Sequence, residues 1–419
     1  MAVAELDLAG LGGRVISLRP APGGPPVTDG PVYALIRVGG VPAGVVLALV
    51  PEGAEAAPVL AAAARDRLRH CVRGTPGKRQ APTGMPRASI IVASRERPAR
   101  LAGALDSLLA QDHPDYEIVV VDNAPATTAT RRLIEENYAP RGVRYVQEPV
   151  PGLACAHNRG IAVAEGSVLA FTDDDVIADP HWLTALAAPF TADPRLACVT
   201  GLILPARLTT PAQILLESHG GFTKGFAPRG FDPRRPPAGD PLFPFTAGMF
   251  GSGANMAFRA GPLRDIGGFD PATGVGTPAR GGDDLYAFTR IVAAGHRLRY
   301  TPDALVWHHH RETWQDLRNQ AYGYGAGLTA YLTATVVRRP ALLPALLARL
   351  PRGLLHAVSI TAHRSAAEGA GVPGEHGTQG YPWPRSLSRL ERRGMLYGPL
   401  GYLRARHAVR GRQLPWEER

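Results

Sequence analysis

The chain has 419 residues, enough for two or three domains, and its 45% hydrophobic content is ordinary for a globular protein. Gly and Pro are plentiful (48 and 40) but scattered rather than periodic, which excludes collagen and low-complexity classes. The formal charge is +10, and a surplus of nine lies from Thr313 onward, where 15 Arg and no Lys face six acidic residues. Such a tail suits an anionic membrane or an acidic substrate. Nucleic acid is not expected as a partner, because no stacked-aromatic or helix-turn-helix signature accompanies the charge. The three cysteines, Cys71, Cys155 and Cys198, have neither zinc nor disulfide-framework spacing, which fits a reducing, cytoplasmic setting. The first residues are acidic and lack the basic region of a signal peptide.

Residues 1–85 read as a small β-rich unit with a linker. Val32–Val38 and Val45–Val50 have strand composition, and the Gly/Pro-rich stretch between them predicts a hairpin. A short helix is expected over Val59–Val72, then a basic Gly/Pro linker over Arg73–Pro86. No chemistry is legible in this unit.

The pattern changes at Ala88. Ser89–Ala93, Tyr116–Val121, Val143–Val146 and Ser167–Thr172 are apolar runs of strand length. Helical spacing intervenes at Leu101, Leu105, Leu108 and Leu109, at Thr130–Tyr138, and around Ala156–Gly160. Alternating strand and helix means βαβ units, a mostly parallel sheet, and right-handed crossovers. Strand-end residues Ser94, Asp122 and Asp173–Asp175 should then share one edge, where ligands bind in open α/β sheets. Three adjacent carboxylates repel one another unless a cation or hydrogen-bond donors relieve them. The turn after the first of these strands, Ser-Arg-Glu-Arg-Pro, lacks the glycines of a dinucleotide fold.

Further on, a helix follows His181-Trp182-Leu183, and Thr200–Pro205 reads as a strand. Gly221–Pro244 reads as a mobile loop, and Gly251–Arg259 as a loop running into a strand. Asp283 and Asp284 open a helix, a favourable place for acids against the helix dipole. The strand Ala304–Trp307 ends in His308-His309-His310-Arg311. Residues 313–419 read as a basic, mainly helical region. Leu342, Leu343, Leu346, Leu347 and Leu350 form an apolar stripe among Arg338, Arg339, Arg349 and Arg352, suited to a core or to a membrane surface. Glu368–Pro384 looks loosely ordered, and the uncharged stretch Gln320–Val337 is too polar to span a bilayer.

Taken in order, Ser89-Ile-Ile-Val-Ala-Ser-Arg, Val119-Val-Val-Asp-Asn, Ala156-His-Asn-Arg-Gly, Phe171-Thr-Asp-Asp-Asp, Gly253-Ala-Asn-Met, Gly267-Gly-Phe-Asp, Gly282-Asp-Asp-Leu and Trp307-His-His-His-Arg resemble the family 2 glycosyltransferases. The resemblance covers about Pro86–Arg311. It implies a GT-A fold, a three-layer α/β/α sandwich, over residues 86–312. It also implies an inverting, hexosyltransferase-type enzyme using a nucleotide-diphosphate-sugar, with a glycan, lipid-linked or small-molecule acceptor. By the same resemblance Ser94, Arg97, Asp122, Asn123 and His157 would meet the donor, with Gly253, Ala254 and Asn255 along its sugar. Asp173 would face the ribose or the metal. Asp175 and His308 would bind the metal, Mn²⁺ or Mg²⁺, with His310 as the other imidazole to consider. Asp284 matches the catalytic base, and Asp283 would position it or the acceptor. The competing readings are a non-catalytic nucleotide-sugar or glycan-binding module and a nucleotidyltransferase. The expected location is cytoplasmic, with the tail bringing the protein to the inner face of a membrane.

Overall fold

The computed structural model describes residues 1–10, 13–68, 84–219, 221–349, 351 and 383–411. Cys71, most of the expected linker, Leu350, Arg352 and nearly all of Glu368–Pro384 lie outside the described residues.

The N-terminal unit is a four-stranded sheet of β1 (Ala2–Leu8), β2 (Val15–Pro20), β3 (Gly30–Val38) and β4 (Val41–Val50), in the order β2-β1-β3-β4. The β3–β4 hairpin is the one expected, and the following helix covers Ala56–Leu68. The first two strands were not expected, although Ala4, Leu6 and Leu8 alternate with Glu5 and Asp7 at strand period. Both faces of this sheet are used. Ala4, Leu6, Val32, Ala34 and Ile36 pack under the helix with Leu60 and Ala64. Val3, Tyr33, Leu35 and Val45 point the other way and pack on Leu202, Leu204, Leu305 and Trp307 of the large sheet. Buried Arg37 ties the two sheets electrostatically, 2.5 Å from Asp179 and 3.1 Å from Glu5.

The large sheet holds β5 (Ala88–Ser94), β6 (Tyr116–Asn123), β7 (Val143–Glu148), β8 (Val168–Asp173), β9 (Val176–Ala178), β10 (Leu196–Pro205), β11 (Arg229–Phe231), β12 (Asn255–Arg259) and β13 (Arg297–His308). Its order is β11-β13-β10-β12-β8-β5-β6-β7, with β9 paired to β13. β5, β6, β7, β8, β10 and β13 run one way, so the sheet is mostly parallel as expected. Alternate residues feed two cores. Ile91, Val119, Val121 and Phe171 face one side, and Ile90, Val92, Val120 and Ala170 the other. Helices Pro98–Leu108 and Trp182–Ala192 cover the second side, while Leu153–Val163 and Asp283–Ala293 cover the first. This is the three-layer α/β/α arrangement that was expected.

The C-terminal helices Trp314–Arg338 and Arg385–Ala408 form a close pair that adds Ala330, Tyr331, Ala334, Tyr402 and Ala405 to the first core. Small residues permit that approach. A Cβ on Gly394 would lie 2.1 Å from the Tyr322 carbonyl oxygen, a distance that only glycine avoids. Much of the basic region therefore belongs to the body of the fold rather than to a detached tail.

Candidate active site

The sheet register builds the site. Ser94 pairs with Asp122 across β5 and β6, and Ala93 with Asp173 across β5 and β8, so three strand ends lie on one edge. Antiparallel pairing of β13 with β9 sets His308 opposite Val176, directly beside Asp175. The backbone N–H of His309 donates to the Asp175 carbonyl at 2.9 Å and locks that corner.

Donor atoms of Asp173, Asp175 and His308 converge within 4.8 Å of one another. Two carboxylates and an imidazole make a hard, mainly oxygen donor set, which suits Mn²⁺ or Mg²⁺ and, through the nitrogen, Mn²⁺ more. Burial and then the neighbouring carboxylates of Asp175, Asp174 and Asp283 push Asp173 well above its ordinary value. Burial would also raise Asp175, but His308 and the guanidinium groups of Arg311 and Arg97 outweigh it, leaving Asp175 below the usual carboxylate value. Burial holds His308 down at about 3, so its ring is neutral at pH 7 and the two arginines are the cations that matter to Asp175. A neutral imidazole among acids is the state a metal ligand needs. The residues present fit a divalent cation.

The middle carboxylate has other work. Asp174 accepts from Ser94 Oγ at 2.8 Å and from Arg97 Nη1 at 3.1 Å, and the same guanidinium lies 3.4 Å from Asp175. Ser94 and Arg97, expected at the donor, are thus engaged in steadying the acidic turn.

Asp122 is fully buried, and its Oδ2 accepts from Tyr145 at 2.9 Å while Oδ1 has no hydrogen-bond partner among the described residues. That leaves a buried acceptor unsatisfied at the edge where the strands end. Its neighbour Asn123 is committed elsewhere: Nδ2 donates to Val150 O at 2.7 Å and Oδ1 accepts from Gly152 N at 2.9 Å, clamping the loop before the next helix.

Asn255 departs from its expected role along the sugar. It is 0% exposed, its Oδ1 accepts from Trp182 Nε1 at 2.8 Å, and its Nδ2 donates to Leu202 O at 2.9 Å and Ala304 O at 2.8 Å. The β10–β13 register jumps between Gly201 and Leu202, and the Asn255 amide supplies the donors that the interrupted ladder lacks. Its side chain is structural.

His157 is buried between Phe171 and Phe269, with Nδ1 3.4 Å from Asp283 Oδ2. It faces the acidic pair rather than an open phosphate position. Asp284 is half-buried. Its Oδ2 accepts from Gly253 N and its Oδ1 from Leu285 N, both at 2.8 Å, which fixes the plane of the carboxylate. Burial, and then Asp283, raise its pKa to about 6. Gly282, at φ +86°, starts this helix with no room for a side chain, because a Cβ would meet Gly327 O at 2.4 Å. The first C-terminal helix therefore seats the helix carrying Asp284.

Three participants were not foreseen. Lys224, whose pKa burial lowers, is close enough to Asp284 to feel its charge. Asp270, closing Gly267-Gly-Phe-Asp, accepts a bidentate pair from Arg338 at 2.9 and 3.0 Å and a bond from Tyr402 at 2.9 Å. Glu217 joins Tyr33 to His310. Their partners are distant in sequence, and only the motif residue Asp270 gave any local signal.

The profile described as glycosyl transferase family 2 matches residues 89–267. A pre-mycofactocin glycosyltransferase of Mycobacterium tuberculosis is 30% identical over 178 residues, which is 42% of this chain and 34% of that one. The O-antigen biosynthesis protein RfbC of Myxococcus xanthus is 29% identical over 251 residues, 58% of this chain and 18% of that one. The chain thus spans about a third or less of the length of these relatives. Among solved structures, the mannosyltransferase PcManGT of Pyrobaculum calidifontis, in complex with GDP-Man and Mn²⁺, aligns with TM-score 0.44 and 21% identity. That alignment covers 78% of this chain and 87% of that one. The matched region, from β5 to the Gly-Gly turn, is similar to glycosyl transferase family 2.

Proposed function

We propose that this protein is an inverting, hexosyltransferase-type glycosyltransferase that moves a sugar from a nucleotide-diphosphate-sugar to an acceptor hydroxyl. The observation that carries the reading is one edge of the sheet. There Asp173, Asp175 and His308 converge within 4.8 Å, and the separately fixed carboxylate of Asp284 has its pKa raised to about 6. Asp173, Asp175 and His308 would hold Mn²⁺ or Mg²⁺, which when bound neutralises the charge on the departing diphosphate. Asp122, with its open Oδ1 and Tyr145 behind it, takes the nucleoside. Asp284 receives the proton of the acceptor hydroxyl as that oxygen attacks the anomeric carbon from the face opposite the diphosphate. The N–H groups of Gly253 and Leu285 hold its carboxylate in one orientation, and burial, with Asp283 adding to it, keeps it basic enough to act near neutral pH. We assign this chemistry to residues 86–312, with 1–85 and 313–419 as flanking units.

The test is a panel of nucleotide sugars with Mn²⁺, read by nucleoside diphosphate release and by donor-dependent thermal shift. We expect release with at least one donor, and loss of it with chelator and recovery with added Mn²⁺. A panel with neither release nor thermal shift would sink the reading.

We further propose a cell-envelope glycan, lipid-linked or otherwise, as acceptor, in keeping with the name of the Myxococcus xanthus relative. No helix among the described residues is long and apolar enough to cross a membrane. On the last helix, however, Leu396, Leu400 and Leu403 are exposed at helical spacing, Leu396 by 83%, beside exposed Arg389, Arg392, Arg393 and Arg404. Such a face suits peripheral docking on anionic lipid at the inner side of a membrane. Leu396→Glu with Leu400→Glu should abolish co-sedimentation with anionic vesicles, and undiminished sedimentation would refute the docking.

A further inference from the structure

A buried polar chain crosses from the N-terminal sheet to the acidic site. Tyr33, on β3, donates to Glu217 Oε1 at 2.8 Å. Glu217 Oε2 lies 3.1 Å from His310 Nε2, and His310 Nδ1 lies 3.1 Å from His308 Nδ1. His308 turns its other nitrogen, Nε2, to within 3.4 Å of Asp175 Oδ1. All four side chains are buried, and Phe222 packs against both imidazoles. Their placement is secured from outside. Thr210 and Gln213 form a capping box that starts the helix Pro211–Ser218 carrying Glu217, and Gln213 Nε2 also donates to His310 O at 3.2 Å.

Resting on the metal reading above, we propose that Tyr33, Glu217 and His310 are positioning residues that set the tautomer of His308. The direction of donation follows from the one member that only accepts. A Glu217 carboxylate has no proton to give, so Tyr33 Oη–H and His310 Nε2–H both donate to it. A His310 ring that holds its one proton on Nε2 carries its lone pair on Nδ1, which accepts from His308 Nδ1–H at 3.1 Å. That leaves the His308 lone pair on Nε2, aimed at the carboxylates of Asp173 and Asp175. The opposite order would put a proton on Nε2 and block ligation there. The chain also separates the two imidazoles. Both ring nitrogens of His310 are occupied, so His308 is the ligand and His310 its support. It gives the N-terminal sheet, which lies outside the matched residues 89–267, a function: Tyr33 holds the carboxylate that orders the histidines. Outer partners of metal-bound histidines commonly work in this way, and their loss weakens metal binding by roughly 10–100-fold.

The test uses the full-length, metal-free protein labelled with ¹⁵N-histidine. Long-range ¹H–¹⁵N spectra, with His308 assigned through a His308→Gln variant, should show His308 protonated at Nδ1 and bare at Nε2. In Glu217→Gln, whose amide can donate toward His310, the Nε2-protonated form should appear. Its Mn²⁺ affinity, read by electron paramagnetic resonance of free Mn²⁺, should weaken at least tenfold with the melting temperature retained. Tyr33→Phe leaves the carboxylate in place and should cause a smaller loss in the same direction. A wild-type His308 protonated at Nε2 overturns the proposal, as does Glu217→Gln binding Mn²⁺ with wild-type affinity. Should Glu217→Gln not fold, the wild-type spectrum decides alone. A wild-type protein that binds no Mn²⁺ would instead overturn the metal reading, while the tautomer spectrum still judges the hydrogen-bond chain.

Discussion

Replacing Asp284 with Asn should lower kcat by about 10²–10⁴-fold, the usual contribution of a positioned general base. The variant keeps the size of the side chain and an acceptor oxygen for Gly253 N or Leu285 N, so donor binding should change little. The ionised carboxylate is the active form. Since burial and Asp283 raise its pKa to about 6, activity in the native protein should climb roughly tenfold per pH unit below that value and level off above it. In Asp284→Asn the residual rate should lose that limb. Steady-state rates across pH, with donor affinity by calorimetry, check both statements. A variant that loses donor binding in proportion to rate would show that Asp284 holds the donor instead.

The second large effect concerns stability. Asn255→Leu removes the partners of Trp182 Nε1–H, Leu202 O and Ala304 O at a position with no access to water. Each orphaned buried group costs roughly 1–3 kcal/mol, so the variant should be destabilised by about 3 kcal/mol or more. Denaturant unfolding followed by Trp fluorescence measures this directly, since Trp182 is one of the affected groups. The folded fraction should bind donor as the native protein does. An unchanged unfolding midpoint together with weakened donor binding would restore Asn255 to the sugar site.

Residues that act through their own local pattern were legible in the sequence. β5, β6 and β8 are apolar runs, and their shared direction follows from the intervening helices, so the gathering of Ser94, Asp122 and Asp173 on one edge could be derived before any coordinates. The acidic start of the helix Asp283–Ala293 was equally plain. The edge strands β9 and β11, three residues each, carry too few side chains to give a period. β1 had the right alternation, but its parallel partner β3 lies beyond a second strand, and nothing local specifies that pairing.

The site divides along the same line. Which residues could serve as acid, base or ligand was set by residue type and order along the chain: the Asp triplet, the Asp pair and the histidine run. Which of them are free to serve was decided by tertiary contact. Asn255 and Asn123 sit within the expected motifs, yet their amides are consumed by a ladder gap and a loop. Asp174 is occupied by Arg97 and Ser94, and His310 by Glu217. The basic C-terminal region, which by charge alone suggested only a surface, places Arg338 and Tyr402 on Asp270 and presses Gly327 against Gly282 beneath Asp284. A hydrogen bond is satisfied by whichever donor or acceptor the fold brings within about 3 Å, at any separation along the chain. Sequence therefore determined the inventory of chemistry and the edge that carries it, and packing determined which groups remain open to act.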